Sequence, residues 1–305
     1  MRDDGRSPRP VSSFSIHNSA LSSAALRAVF RDPIYRWEAR RYWTWRRYLW
    51  IALALLAFAA LGGGCIAWSV WLATQAAPGQ AADFTDIPGL VTIFGLYAAS
   101  TARYPLCFAA SLAGSLLFVP ERLSGQLEQF VLTPVSPNRF VAARIAGRLR
   151  GLLLFWLATC AILGVTILGM AVYGLPALME ERGASLTIAN TLVTQLDLGL
   201  LLVLDLVVGA CYSARARSTA GAVAMSLLMS FLVLPIILYA PALILSIISL
   251  AMTWPNPGTR HAYAPLFEVA GVLLHLAGTY IALKLWMRRT GRAAEKLFCG
   301  IEAES

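Results

Sequence analysis

Charged residues are scarce in this chain. They make up 13% of its 305 residues, about half the share that is typical of a soluble globular protein. Hydrophobic residues make up 58%, and the mean hydropathy is +0.66. This composition excludes an ordinary soluble fold and indicates a membrane protein. Because the apolar runs are continuous rather than alternating, a helical bundle is favoured over a β-barrel.

Lysine and histidine are also rare. Neither Lys284 nor Lys296 follows a glycine, so the chain cannot form a Gly-x-x-x-x-Gly-Lys-Ser/Thr phosphate-binding loop. His17, His261 and His275 are far apart, and no His-Glu-x-x-His or Gly-x-Ser-x-Gly motif occurs. The sequence therefore predicts no catalytic site, cofactor or metal in this chain. If ATP drives its function, a separate subunit must bind the nucleotide.

The five cysteines are scattered and show no metal-ligand spacing, so we interpret them as small packing residues without a disulfide framework. Six apolar runs are long enough to cross a bilayer as helices. We place them at about 48–74, 88–119, 152–175, 188–212, 219–239 and 265–286. The apolar run at 240–254 is too short to cross again, so we expect a re-entrant or interfacial segment there.

The basic residues indicate how the spans are oriented. Of the 25 Lys and Arg residues, 22 lie before the first span, in the loops after the second and fourth spans, or at and beyond the C-terminal end of the sixth span. The positive-inside rule therefore places both termini in the cytoplasm and the chain in the cell membrane, the inner one where there are two. The same rule explains the net charge of +9, so no nucleic-acid partner is needed.

A basic, aromatic segment precedes the first span. Asp32 and Pro33 are typical of an N-cap and the first residue of a helix. We predict that 32–48 is an interfacial helix lying among the lipid headgroups. Its anchoring residues would be Trp37, Arg40, Arg41 and Trp45.

A short polar stretch, 120–137, connects the second and third spans. Leu123, Leu127, Phe130 and Val131 recur at helical spacing and predict a one-sided apolar stripe on a short helix. Pro134 disfavours helix at the preceding residue and would end the segment. From the pattern alone, this is either a surface that a peripheral protein binds or an ordinary amphipathic loop.

The same stretch resembles a known family. Glu121–Glu128 reads Glu-Arg-Leu-Ser-Gly-Gln-Leu-Glu, and Leu132–Ser136 reads Leu-Thr-Pro-Val-Ser. Together they resemble the Glu-Arg-x-x-Gly-Thr-Leu-Glu and Leu-Thr-Pro-Leu-Ser signature of type-2 ATP-binding-cassette (ABC) transporter permeases. Gln126 stands where the family usually has Thr. The segments that begin at Asp32 and at Ser213 also resemble that family, and in layout the resemblance covers about residues 32–287.

The resemblance implies an all-α polytopic membrane protein with six transmembrane helices, an N-terminal interfacial helix and a cytoplasmic coupling helix. The domains would be a flexible cytoplasmic tail (1–31), the connecting helix (32–48), the six-span domain (49–287, with the coupling helix at about 120–135) and a cytoplasmic tail (288–305). The implied function is that of a permease subunit of an exporter. It would bind a separate ATPase subunit that holds ATP and Mg²⁺, a second permease chain and membrane lipids. The implied ATPase-coupling residues are Glu121, Arg122, Gly125, Leu127, Glu128, Phe130 and Pro134.

Four polar residues fall within the predicted spans, where ionisable groups are costly. They are Arg103, Asp197, Asp205 and His275. They predict either a polar path through the membrane or internal ion pairs, such as Arg103 with Asp197, that hold helices together. Two other functions stay open on this evidence: a non-transporting membrane anchor or scaffold, and an ion-coupled secondary transporter that uses Asp197, Asp205 and His275.

Overall fold

The computed structural model describes residues 32–76, 95, 97–127, 135–172, 182–253 and 257–304, and every regular element in these ranges is a helix. The helices are α1 (Pro33–Tyr42), α2 (Trp45–Ala76), α3 (Arg103–Ser115), α4 (Val119–Leu123), α5 (Pro137–Val172), α6 (Arg182–Arg215), α7 (Thr219–Leu228), α8 (Leu234–Thr253) and α9 (Pro257–Glu304). One π-helical turn, Met229–Val233, joins α7 to α8.

Six stretches of the described chain are long and apolar enough to cross a membrane. They are Trp45–Cys65, Tyr97–Leu123, Pro137–Leu168, Leu192–Arg215, Thr219–Pro241 and Val269–Cys299. The chain is therefore an all-α, multi-pass membrane protein, which confirms the predicted fold class. The predicted tail at 1–31 lies outside the described residues.

The core of the bundle is built around α6, which packs against α3, α5, α7 and α9. Its inward residues are almost fully buried, among them Leu202, Leu204 and Val208. By contrast, α2 exposes large apolar side chains along its length, including Trp50 (71%) and Leu61 (69%). Water would penalise that surface, whereas lipid tails would cover it without cost. The burial pattern thus agrees with a membrane location.

One end of the bundle brings together α1, α4, the start of α5 and the α6–α7 turn, and we call it the basic end. Asp32 caps α1 by accepting a hydrogen bond from the backbone N–H of Ile34 at 2.9 Å, as its position before Pro33 predicts. The predicted single helix over 32–48 is interrupted at Trp43 and Thr44. The interruption allows the Trp43 ring to turn inward and α2 to begin in a new direction.

Two glycines of α5 let α1 approach closely. A Cβ at Gly147 would lie 3.0 Å from Cβ of Glu38, and a Cβ at Gly151 would lie 2.1 Å from the Trp43 ring. The Trp43 indole N–H also donates to the Arg148 carbonyl at 2.9 Å. A Gly-x-x-x-Gly pattern usually suggests contact between two spans. Here it receives the short helix α1 and the tryptophan that follows it.

Replacing Gly151 with leucine should therefore destabilise the protein, because the new side chain must displace the buried Trp43 ring. We expect a loss of about 1–3 kcal/mol, measured by thermal unfolding in detergent. Gly164→Leu is the matched control, since a Cβ there meets nothing within 4 Å on the same helix. Equal unfolding temperatures for the two variants would contradict this packing.

Two helices extend further than the sequence indicated. The segment 240–254 was expected to be re-entrant or interfacial, but α8 continues through Pro241 as far as Thr253. A proline inside a helix removes one backbone hydrogen bond and bends the helix without necessarily ending it. The C-terminal tail expected from 288 is also helical, because α9 runs without interruption from Pro257 to Glu304.

Candidate functional site

A buried ion network lies at the centre of the basic end. Arg144 of α5 is 0% exposed and lies between Glu38 of α1 and Glu121 of α4. Its Nε donates to Glu38 at 3.0 Å, and its Nη2 donates to Glu121 at 2.6 Å. Its Nη1 donates to the second oxygen of Glu121. One guanidinium therefore joins three helices that are distant in sequence.

Arg148, one helical turn along α5, completes the network. It donates to the other oxygen of Glu38 at 2.5 Å and to the carbonyl of Ala113 at the end of α3. Its guanidinium lies 4.4 Å from the centroid of the Tyr42 ring. Two arginines and two glutamates thus compensate each other in charge, which a buried ionic cluster requires.

The rim of the network connects it to neighbouring loops. Arg41 donates to Glu121 at 2.8 Å and to Gln126 at 3.3 Å. Arg122 donates to the carbonyl of Ala216 in the α6–α7 turn. Ser213, at the end of α6, accepts a hydrogen bond from the backbone N–H of Phe118 at 2.8 Å. The α4 segment is therefore fastened to α1, α5 and α6.

Burial alone would raise the pKa of the Glu38 carboxyl. Attraction and hydrogen bonds from Arg148 and Arg144 outweigh that effect and lower the pKa of Glu38 below its ordinary value of 4.5. A carboxylate whose pKa is lowered by folding contributes its full stabilisation at pH values above its pKa in the unfolded chain. The contribution is lost only as the pH falls through the lowered pKa of the folded state.

Glu38→Gln should destabilise the protein by about 3 kcal/mol at neutral pH, because it leaves buried arginine charge uncompensated. Arg40→Gln is the control, since Arg40 is an exposed residue of the same helix. Surface changes of that kind usually shift stability by less than about 0.5 kcal/mol. The measurement is thermal unfolding in detergent between pH 4 and pH 8. The difference in stability between the wild type and Glu38→Gln should become smaller only at the acidic end of this range. Similar behaviour of both variants would refute a structural role for the network.

The predicted coupling helix has a different shape from the expected one. α4 ends at Leu123, and Gly125 adopts a φ of +70°, a left-handed conformation that side chains disfavour. Because of this turn, Leu123 is 64% exposed whereas Leu127 is fully buried. The two leucines therefore do not form one outward apolar stripe. Gly125 is explained by its turn, since no atom would contact a Cβ there.

The predicted coupling residues thus divide into groups. Glu121 and Leu127 face the interior of the chain, so neither presents its side chain to a partner in this conformation. Arg122 is half-buried against the α6–α7 turn. The exposed side chains of the described segment are Leu123, Ser124 and Gln126. The remaining predicted contacts, Glu128, Phe130 and Pro134, lie outside the described residues.

The predicted interfacial residues Trp37, Arg40, Arg41 and Trp45 are all exposed. Arg41 also lies 4.8 Å from the centroid of the Trp37 ring and pairs with Glu121, so it joins α1 to α4 as well. Sequence reasoning missed Glu38 and the partners of Arg144 and Arg148. The available signal was the i, i+4 spacing of these two arginines, which places like charges on one helix face.

A second polar cluster lies within the membrane-spanning part. Asp197 of α6 contacts His275 of α9, with 2.9 Å between Oδ2 and Nε2, and Oδ1 accepts from the Thr279 hydroxyl at 3.4 Å. The His275 ring stacks on Tyr239 of α8 at 4.4 Å. Arg103 lies 5.1 Å from the centroid of that same Tyr239 ring. Asp197 is therefore in direct contact with His275, whereas Arg103 lies against Tyr239.

The contacts of the His275 ring join three helices. Nδ1 lies 3.2 Å from the Leu238 carbonyl oxygen of α8, and Nε2 faces the Asp197 carboxyl of α6. Two ionisable groups in contact within a membrane-spanning part invite a functional interpretation.

Asp205 is buried two turns along α6 and does not join this pair. Ser230 in the π-helical turn and Cys107 of α3 donate hydrogen bonds to it. Three serine hydroxyls adjoin this position, with 2.6 Å between those of Ser111 and Ser226. The four predicted intramembrane residues therefore lie at two neighbouring positions. Arg103, Asp197 and His275 lie around Tyr239, and Asp205 lies beside the serine hydroxyls.

Replacing His275 with phenylalanine keeps an aromatic ring against Tyr239 and removes both polar contacts. We expect destabilisation of about 3 kcal/mol, because Asp197 loses its partner in an apolar environment. The double variant Asp197→Leu/His275→Phe should regain most of that loss, since an apolar pair of similar volume can replace a buried ion pair. Thermal unfolding of the wild type, of the single variants Asp197→Leu and His275→Phe, and of the double variant gives the coupling energy. Strictly additive losses would contradict the ion pair.

Comparison of the chain with protein-family models, curated proteins and solved structures finds no match. Across the described residues, no group of three or more His, Cys, Asp and Glu side chains is arranged to hold a metal ion. Function is therefore inferred from the two polar clusters and from the surface of the basic end.

Proposed function

We propose that this chain is the membrane-spanning permease subunit of an ABC transporter and that a separate ATPase binds its basic end. The observation that carries the proposal is the buried network that fastens α4 to α1 and α5. A loop without a mechanical role has little reason to bury two arginines and two glutamates, which cost desolvation energy. A segment that must transmit a push needs such a fixed attachment.

The proposed path of force follows the contacts. A push on the 119–127 segment reaches α5 and α1 through Glu121, Arg144 and Glu38. It reaches the α6–α7 turn through Arg122 and Ala216. α6 is the central helix of the core, so displacement of its end shifts the helices that pack on it. The ATPase would thus act on two spans at one surface.

Orientation and assembly follow from the same proposal. The basic end faces the cytoplasm, in agreement with the positive-inside rule. ATP and Mg²⁺ bind the partner, and a second permease chain, identical or similar, supplies the other half of the path. Export is favoured over import, in line with the resemblance at 121–136. The exposed Leu123 is the apolar residue most available to the ATPase among the described part of the segment.

Co-purification from native membranes, with ATPase activity assayed on the product, tests the proposal. Leu123→Asp should abolish or strongly reduce the recovered ATPase, because it introduces a charge at the contact. Arg292→Asp introduces the same charge at an exposed position of α9 and should leave recovery unchanged. Absence of any ATPase from the wild-type preparation in mild detergent would sink the transporter proposal.

The contact between Asp197 and His275, two ionisable groups within the membrane-spanning part, favours a second candidate, an ion-coupled secondary transporter. Its activity would need a proton gradient and no ATPase. Uptake or efflux in vesicles without ATP would separate the two candidates. A collapsed proton gradient should stop a secondary transporter and leave an ATP-driven one working.

A further inference from the structure

An apolar groove runs along the outside of the bundle between α2 and α3. It has a volume of about 680 Å³, which is within the usual range for ligand sites. Its lining includes four large aromatic side chains, Trp50, Phe58, Phe108 and Phe231, and two small ones, Ala54 and Ala109. Phe108 and Phe231 contact each other, with ring centroids 6.3 Å apart. The groove is therefore a formed channel along the helices.

One end of the groove is cationic. Arg47, at the start of α2, is exposed and lines the groove beside Tyr42 and Trp43. Its guanidinium is held 4.1 Å from the centroid of the Tyr42 ring, and Nη1 donates to the Tyr42 carbonyl at 2.6 Å. A guanidinium carries five N–H donors, so most of its donors stay available after this bond. The groove thus has one positive end, and the rest of its lining is nearly all apolar.

We propose that this groove binds one anionic phospholipid, with its phosphate at Arg47 and an acyl chain between α2 and α3. Arginine binds phosphate oxygens through several parallel hydrogen bonds, and a lipid tail matches the apolar walls. The groove opens on the exposed face of α2 within the span Trp45–Cys65, where lipid is the surrounding solvent. The site would be a resident lipid site, independent of the identity of any ATPase.

Charge favours a lipid over a second copy of this chain as the occupant. Arg47 lies at the start of α2, close in sequence to the exposed basic residues Arg36, Arg40, Arg41 and Arg46. A second copy in the same orientation would bring its own arginines to the level of Arg47, and like charges repel. An anionic headgroup has the complementary charge at the same level.

The test measures binding of labelled phosphatidylglycerol and phosphatidylcholine to the full chain in detergent. Ala54→Trp fills the groove, whereas Ala57→Trp places the same side chain on an exposed part of α2 outside the lining. We expect the first variant to weaken phosphatidylglycerol binding about tenfold or more and the second to leave it unchanged. Arg47→Gln should remove the preference for phosphatidylglycerol, while the neighbouring Arg46→Gln should keep it.

Three outcomes would overturn the proposal. One is equal binding by the Ala54→Trp and Ala57→Trp variants, which would place bound lipid elsewhere. Another is a wild-type chain that does not prefer phosphatidylglycerol, which would remove the role of Arg47. Size-exclusion chromatography of the same samples adds a third readout. If only Ala54→Trp dissociates a wild-type dimer, the groove is covered by a second copy and the lipid assignment is wrong.

Discussion

The cost of burying charge without compensation shapes the basic end of this protein. Arg144 has no access to solvent, so its position is possible only while both Glu38 and Glu121 are in contact with it. Each glutamate belongs to a different short helix. The requirement for charge balance therefore fixes the positions of α1 and α4 against α5. Apolar packing alone would fix them less strictly, because apolar side chains can slide past each other and buried ion pairs cannot.

Close packing makes this arrangement possible. The carboxylate of Glu38 reaches both arginines because α1 lies directly on the backbone of α5 at Gly147. The Trp43 ring packs on Gly151, and its indole N–H donates to the Arg148 carbonyl. These contacts hold the residues between α1 and α2 against α5. The short helix α1 is thus a structural part of the bundle. A force applied at α4 meets a joint in which three helices move together, which is the mechanical property that the proposed coupling requires.

Local signals in the sequence were sufficient for the spans and for the start of α1. Asp32 before Pro33 predicted the cap correctly, and the long apolar runs predicted six spans. Pairing was not predictable, since Glu38, one partner of Arg144, is 106 residues away in the sequence. The stripe that joined Leu123 to Leu127 failed because periodicity assumes a continuous helix, and the left-handed turn at Gly125 separates the two leucines. Asp197 likewise had several possible partners until the fold selected His275.

The two polar clusters join different sets of helices. Arginine does not deprotonate in proteins, so Arg144 keeps its charge and connects α5 to α1 and α4 through Glu38 and Glu121. The Asp197–His275 contact connects α6 with α9, and the Leu238 carbonyl, 3.2 Å from the same ring, belongs to α8. Because the two clusters share no residue, a substitution in one of them leaves the contacts of the other in place.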